Sequence, residues 1–233
     1  PSIVRQLDEY VASGSQVTVM AHMGDPEADI ARDCASVKKQ TIVFHRGDTT
    51  DRDALEGLPF DSLDHVILLA YSDALEPQEA DARTLITLLH LRDIGDRTEH
   101  HFSIVSEMMD SRNTDLAQAA RADDFIVSDR LVSLILSHIS ENKTMGSVFA
   151  TLFDPAGSEI YLRDADHYVA LNEPLNFYPV VEAARRRGEV ALGYRIHEHA
   201  GDPARQFGVV LNPRKSSSIT FRQQDKIVVL AEE

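Results

Sequence analysis

The chain has one cysteine, Cys34, in 233 residues. That excludes an internal disulfide and fits a reducing compartment; a lone thiol of this kind reads first as a small buried apolar residue. Long hydrophobic runs are missing too. The longest is VILLAY, residues 66–71, far short of the roughly 20 apolar residues that a membrane-crossing helix needs. The first ten residues, PSIVRQLDEY, are amphipathic and contain acids, so they do not read as a secretion signal. Positive charge is scarce: 23 Lys and Arg stand against 38 Asp and Glu, a formal net charge of −15. Phosphate backbones and anionic membrane surfaces call for a basic face, so neither nucleic acid nor such a surface is an expected partner. The acidity suits a cationic ligand, or serves only to keep the surface soluble. No nucleophile elbow, glycine-rich phosphate fingerprint or metal-ligand cluster is visible.

What is present is an alternation of strand and helix. Ile3, Val4, Leu7 and Val11 fall on one helical face, with Gly14 where a C-terminal cap belongs. QVTVMA (16–21) and TIVFH (41–45) read as strands, separated by an acidic loop, GDPEAD. A short helix follows over about 51–58. HVILLA (65–70) is a continuous apolar strand, the pattern of a parallel strand buried on both faces. The next helix, about 77–93, contains LITLLHL and is apolar around nearly its whole circumference, which predicts deep packing. FSIVSE and DFIVS are further strands, with a helix over 114–122 between them. This order predicts an α/β fold with a doubly wound, mostly parallel sheet.

After Asp129 the pattern changes. Leu131, Leu134, Ile135 and Ile139 form a helical apolar stripe, and a second short helix covers about 145–153. Asp154-Pro155-Ala156-Gly157 is the clearest turn cluster. Beyond it, one helix, NFYPVVEAARRRG, lies among several short strands, which predicts a small α+β lobe. The expected organisation is a first lobe over 1–128, a helix-turn-helix over 129–153 and a C-terminal lobe over 154–233.

The segment VFHRGDTTDRDALEGLPFDSLDHVILLAYSD (43–73) resembles the regulator-of-potassium-conductance (RCK) domains of TrkA type. SRNTDLAQAARADDFIVSDRLVSLILSHISENK, NFYPVVEAARRRGEVALGYRI and VVLNPRK resemble the gating-ring segment of the Castor/Pollux ion channels and their bacterial relatives. The resemblance spans nearly the whole chain. It implies a Rossmann-like first lobe and a cytosolic regulatory domain of a cation channel, coupling ligand binding to pore opening without catalysis. A stand-alone TrkA-like subunit of a potassium uptake system and a nucleotide-binding α/β protein are the alternatives. It also implies that residues 129–153 cross to a partner and make a homodimer, through Leu131, Leu134, Ile135, Ile139, Val148, Phe149 and Leu152. Such dimers would build a ring under a membrane pore encoded upstream.

The resemblance places the first Rossmann strand and its glycine-rich loop before Pro1. The chain is then either cut inside that unit or descended from a form that lost it. Ala21 stands where dinucleotide-binding domains carry the ribose-binding acid. NAD is accordingly not an expected cofactor.

Ligands of doubly wound sheets gather at the carboxyl ends of the strands. The polar residues expected there are Arg46, Asp48, Ser72 and Asp73 as ligand-binding groups, with Glu107 and Asp110 as metal-binding carboxylates. Converging carboxylates suit a hard cation, calcium first; turn capping is the competing role for Asp48, Asp73 and Asp110. Asp25, Glu27, Asp29 and Asp33 imitate a calcium loop, but its obligatory glycine and final glutamate positions hold Ile30 and Ser36. His197-Glu198-His199 alternates as a strand would and is expected in a solvated loop. Arg185, Arg186 and Arg187 complement a helix C-terminus.

Overall fold

The computed structural model describes residues 1–98, 101–113, 116, 124–154 and 156–232. The chain divides into two compact units, Pro1–Lys143 and Thr144–Glu233. The segment 129–153 is therefore shared, one helix to each unit.

The first unit begins with α1 (Ser2–Tyr10), which ends at Val11. Gly14, with φ +92°, lies beyond that cap, so it makes the turn into β1 (Ser15–Ala21) instead of closing the helix. The acidic stretch expected as a loop is helical: α2 spans Pro26–Asp33. Pro26 occupies a first-turn position, where its fixed φ suits a helix and its missing N–H costs nothing. Glu27 and Asp29 add negative charge at the positive end of the helix dipole, and Ile30 is buried. β2 (Gln40–Arg46) runs parallel to β1, pairing Val17 with Ile42. In α3 (Arg52–Glu56) the Asp51 side chain caps the helix by accepting from the Asp53 amide.

β3 (His65–Leu68), β4 (Ser103–Met108) and β5 (Asp124–Val127) form a second parallel sheet in that order. Between β3 and β4 runs α4 (Pro77–Gly95). The expectation of a strand buried on both faces fails for β3: Ile67 is 43% exposed, and Leu69 just beyond it is 46% exposed. The reason is the alternation of the strand: His65 and Ile67 share the exposed face, while Val66 and Leu68 face the core. Likewise α4 buries Leu88, Leu91 and Ile94 but leaves Ile86 and Leu89 exposed, so its apolar circumference is only partly used. Leu55, Phe60, Leu68, Leu88 and Ile104 form the core of this unit, with Met20 and Val66 against it. The helix expected over 114–122 lies outside the described residues, Leu116 excepted. The unit closes with α5 (Ser128–Glu141).

The second unit opens with α6 (Met145–Leu152). β6 (Glu159–Asp164), β7 (Pro174–Leu175), α7 (Tyr178–Arg186), β8 (Val190–Arg195), β9 (Val209–Leu211), β10 (Ile219–Thr220) and β11 (Lys226–Ala231) follow. β6, β11, β8 and β9 make an antiparallel sheet in that order, and β7 pairs with β10. Inward residues of β11, Ile227 and Val229, meet Val180 and Ala184 of α7 and the rings of Phe177 and Phe221. The α+β character read from the sequence is what this unit has.

Candidate functional site

The strands of the first unit are parallel within each sheet, so the residues that follow them collect at their carboxyl ends. There His22, just after β1, sits edge-on to Tyr71, just after β3, with ring centroids 5.7 Å apart. This contact links the two sheets, which share no strand pairing among the described residues.

Asp48, after β2, accepts from the Thr50 amide (2.9 Å), the Thr50 hydroxyl (2.7 Å) and Arg83 of α4 (2.5 Å). His22 Nε2 lies 3.7 Å from its other oxygen. Burial pushes the Asp48 carboxyl up, but the Thr50 amide and hydroxyl and the Arg83 guanidinium outweigh it and hold the group at about 2. Asp48 is thus an anion that ties the β2 loop to α4. His22 Nδ1 and Arg83 Nε are buried without a hydrogen-bond partner among the described residues.

Glu107 on β4 makes a second tie. One oxygen accepts from the Ala70 amide beyond β3 (3.1 Å), the other from the Ser128 hydroxyl at the start of α5 (2.5 Å). Asp110 accepts from Gln78 of α4 (2.7 Å) and from the Arg112 amide (2.8 Å). The Arg112 side chain, with help from that amide, holds the Asp110 carboxyl at about 2. Beneath them Asp81 of α4 is 1% exposed. It accepts from the amides of Met109 (2.7 Å) and Asp110 (3.0 Å) and from Asn113 Nδ2 (2.7 Å). Each carboxylate therefore joins loops of different elements. A ligand that took over one of them would release the element it holds.

The remaining sequence-predicted residues stand apart. Arg46 is exposed and reaches Asp25 at 3.7 Å. Ser72 and Asp73 are exposed in the turn after β3, where the Tyr71 carbonyl accepts from Ala74 and Leu75. Among the described residues, no group of three or more His, Cys, Asp or Glu side chains is placed to hold a metal ion. Sequence reasoning missed His22, Asp81 and Arg83. Asp81 had a signal: it shares a helical stripe with Thr84, Leu88 and Leu91, so a carboxylate was due to enter the core. His22 and Arg83 had none.

The stripe assigned to assembly is largely uncovered. On α5, Leu131 and Leu134 are exposed, and Ile135 and Ile139 are half-buried. Val132 and Leu136 are exposed as well, which widens the apolar face. On α6, Val148 is exposed, Phe149 and Leu152 are half-buried, and Phe149 stacks with Phe153 at 6.3 Å.

No family model matches the chain. It is 28% identical to a probable ion channel CASTOR of Oryza sativa subsp. japonica, over 99% of this chain and 29% of that protein. It is 27% identical to a probable ion channel POLLUX of the same plant, over 98% of this chain and 26% of that protein. The ion channel CASTOR of Lotus japonicus is 26% identical over 99% of this chain and 30% of that protein. Its homologues are the CASTOR and POLLUX ion channels. The chain spans less than a third of the length of these CASTOR and POLLUX relatives. In fold it is similar to the human SLO3 gating ring, with a TM-score of 0.59 at 12% identity, over 94% of this chain and 40% of that one. The expected Rossmann-like α/β architecture is therefore present. No helix among the described residues is long and apolar enough to cross a membrane.

Proposed function

We propose that this chain is the cytosolic regulatory domain of a cation channel, a gating-ring segment that converts ligand binding into movement of a pore. The observation that carries this reading is similarity to CASTOR and POLLUX ion channels along nearly the entire chain. The gating-ring fold of the SLO3 neighbour agrees with it. The carboxylate ties supply a mechanism, because Asp48, Glu107 and Asp110 couple the strand ends to α4 and α5. The pore would lie elsewhere in the parent protein, and the domain would act as a homodimer within a ring. Support for assembly comes from the uncovered apolar faces of α5 and α6, since faces of this breadth rarely stay in water.

The proposed ligand is a divalent cation, calcium first. The net charge of −15 and the carboxylates at the strand ends support it. Glu107 and Asp110 are both engaged by protein donors, so calcium would displace Arg112 from Asp110. NAD is not proposed, because Ala21 stands at the ribose position.

The experiment is single-channel recording of the full-length protein that carries this chain. A change in open probability on adding calcium to the cytosolic side, lost in Asp110→Asn, is expected. A full-length protein that conducts no ions would sink the channel reading. Channels indifferent to calcium would remove calcium alone.

A further inference from the structure

A cleft of about 1070 Å³ opens in the second unit. Its walls are the end of β8, the turn His197–His199, the loop Pro203–Gly208 with β9, and the segment from β10 to Asp225. That volume lies just above the roughly 300–1,000 Å³ usual for small-molecule sites.

The cleft is balanced in formal charge, unlike the acidic chain as a whole. Its lining carries Arg205 and Arg222 with His197 and His199, against Glu198 and Asp225 alone. Asp225 is buried, and its two oxygens accept from the amides of His197 (2.8 Å) and Arg222 (2.7 Å). It fixes the walls and offers nothing to a ligand. Of the two lining acids Glu198 is the exposed one, and it is paired with Arg222 at 2.6 Å. Arg205 donates to a ring nitrogen of His199 (2.7 Å) and lies 3.5 Å from Asp202, whose carboxylate also caps Ala204. Both arginine side chains are well exposed. Exposed ion pairs of this kind are weak and readily exchanged for a better anion. A guanidinium fork matches a phosphate or carboxylate more closely than any other group present.

The loop is also built under strain. Gln206 and Phe207 adopt φ of +53° and +54°, where side chains other than glycine rarely sit, and Gly208 follows at +81°. Strained backbone of this sort persists where the surroundings hold it and gathers at binding sites. Apolar side chains of Ile196, Val209 and Ile219 line the same space, so the cleft has room for an organic body behind the charged end.

We propose that this cleft binds a small organic oxyanion, its phosphate or carboxylate held by Arg205 and Arg222 and its body against Ile196, Val209 and Ile219. Glu198 acts as a built-in competitor that occupies Arg222 until the anion arrives. The proposal is independent of the channel reading and of calcium.

The test is calorimetry on the 233-residue chain with AMP and with citrate, and with adenosine as the uncharged control. AMP or citrate should bind and adenosine should not; which of the two binds tells phosphate from carboxylate. The double variant Arg205→Gln/Arg222→Gln should lose about tenfold in affinity or more. Glu198→Gln should bind about threefold tighter, because the competitor's charge is gone. A merely structural Arg222–Glu198 pair would not give that gain. All three side chains are exposed, so their loss should not unfold the chain. The proposal fails if neither anion binds at 10 mM (about 1,000 times a typical ten-micromolar site), if adenosine binds as well as AMP, if the double variant binds like wild type, or if Glu198→Gln binds no tighter.

Discussion

The Asp81 carboxylate of α4 lies 2.7 Å from the amide nitrogen of Met109 at the end of β4. With the Asp110 amide and Asn113 it closes the loop after β4 onto the helix. Asp81→Ala strips buried donors of their acceptor, and each stranded group costs about 1–3 kcal/mol. The expected loss is about 3 kcal/mol in urea unfolding. A variant within 0.5 kcal/mol of wild type, roughly the size of an ordinary surface change, would show that the loop stands without this tie.

Asp48 should make stability fall with acid. Its folded-state value of about 2 lies below the ordinary aspartate value near 3.9. A lowered carboxylate contributes stability that is complete above the unfolded value and is lost as pH falls through the folded one. Asp48→Asn should therefore be less stable than wild type at neutral pH, by about 1 kcal/mol. The gap should close between about pH 5 and pH 2, as followed by circular dichroism in urea. A gap that stays constant over that range would remove Asp48 from the acid response.

Gly208 and Gly201 should respond in opposite ways to alanine. A Cβ on Gly208 would lie 2.1 Å from the Ile196 carbonyl oxygen, at a φ of +81°. Gly201 has nothing within 4 Å of the same atom. Gly208→Ala should cost about 3 kcal/mol and loosen the cleft, while Gly201→Ala should stay within about 0.5 kcal/mol. Thermal unfolding decides, and equal shifts would mean that the loop rearranges freely.

Assembly should depend on α5. Leu134→Asp/Ile135→Asp places two carboxylates on a face that is apolar and largely uncovered. Light scattering at tens of micromolar should show a dimer or larger species for wild type and a monomer for the double variant. A monomeric wild type, or a variant as large as wild type, rules this helix out as the contact.

The strands and most helices were legible because each carries a period that its backbone enforces. Val17, Ile42 and Ile104 sit in strands that the apolar runs marked, and β11 was plain from KIVVLA. The helix Pro26–Asp33 was not legible as such, because acidic residues favour loops and helix N-termini alike; Pro26 was the deciding cue and it points both ways. The exposure of Ile67 could not be read from HVILLA, since an apolar run does not say which of a strand's two faces the core covers.

The sequence by itself determined the acidity and the single thiol through its composition, and the α/β order through its local periods. It also located the polar residues that follow each strand. Only the tertiary structure decided their partners. Asp48 meets Arg83 across 35 positions, Glu107 meets Ala70 across 37 and Ser128 across 21. Arg222 meets Glu198 across 24. A hydrogen bond is a matter of ångströms between atoms, and no local period carries that distance between residues so far apart along the chain.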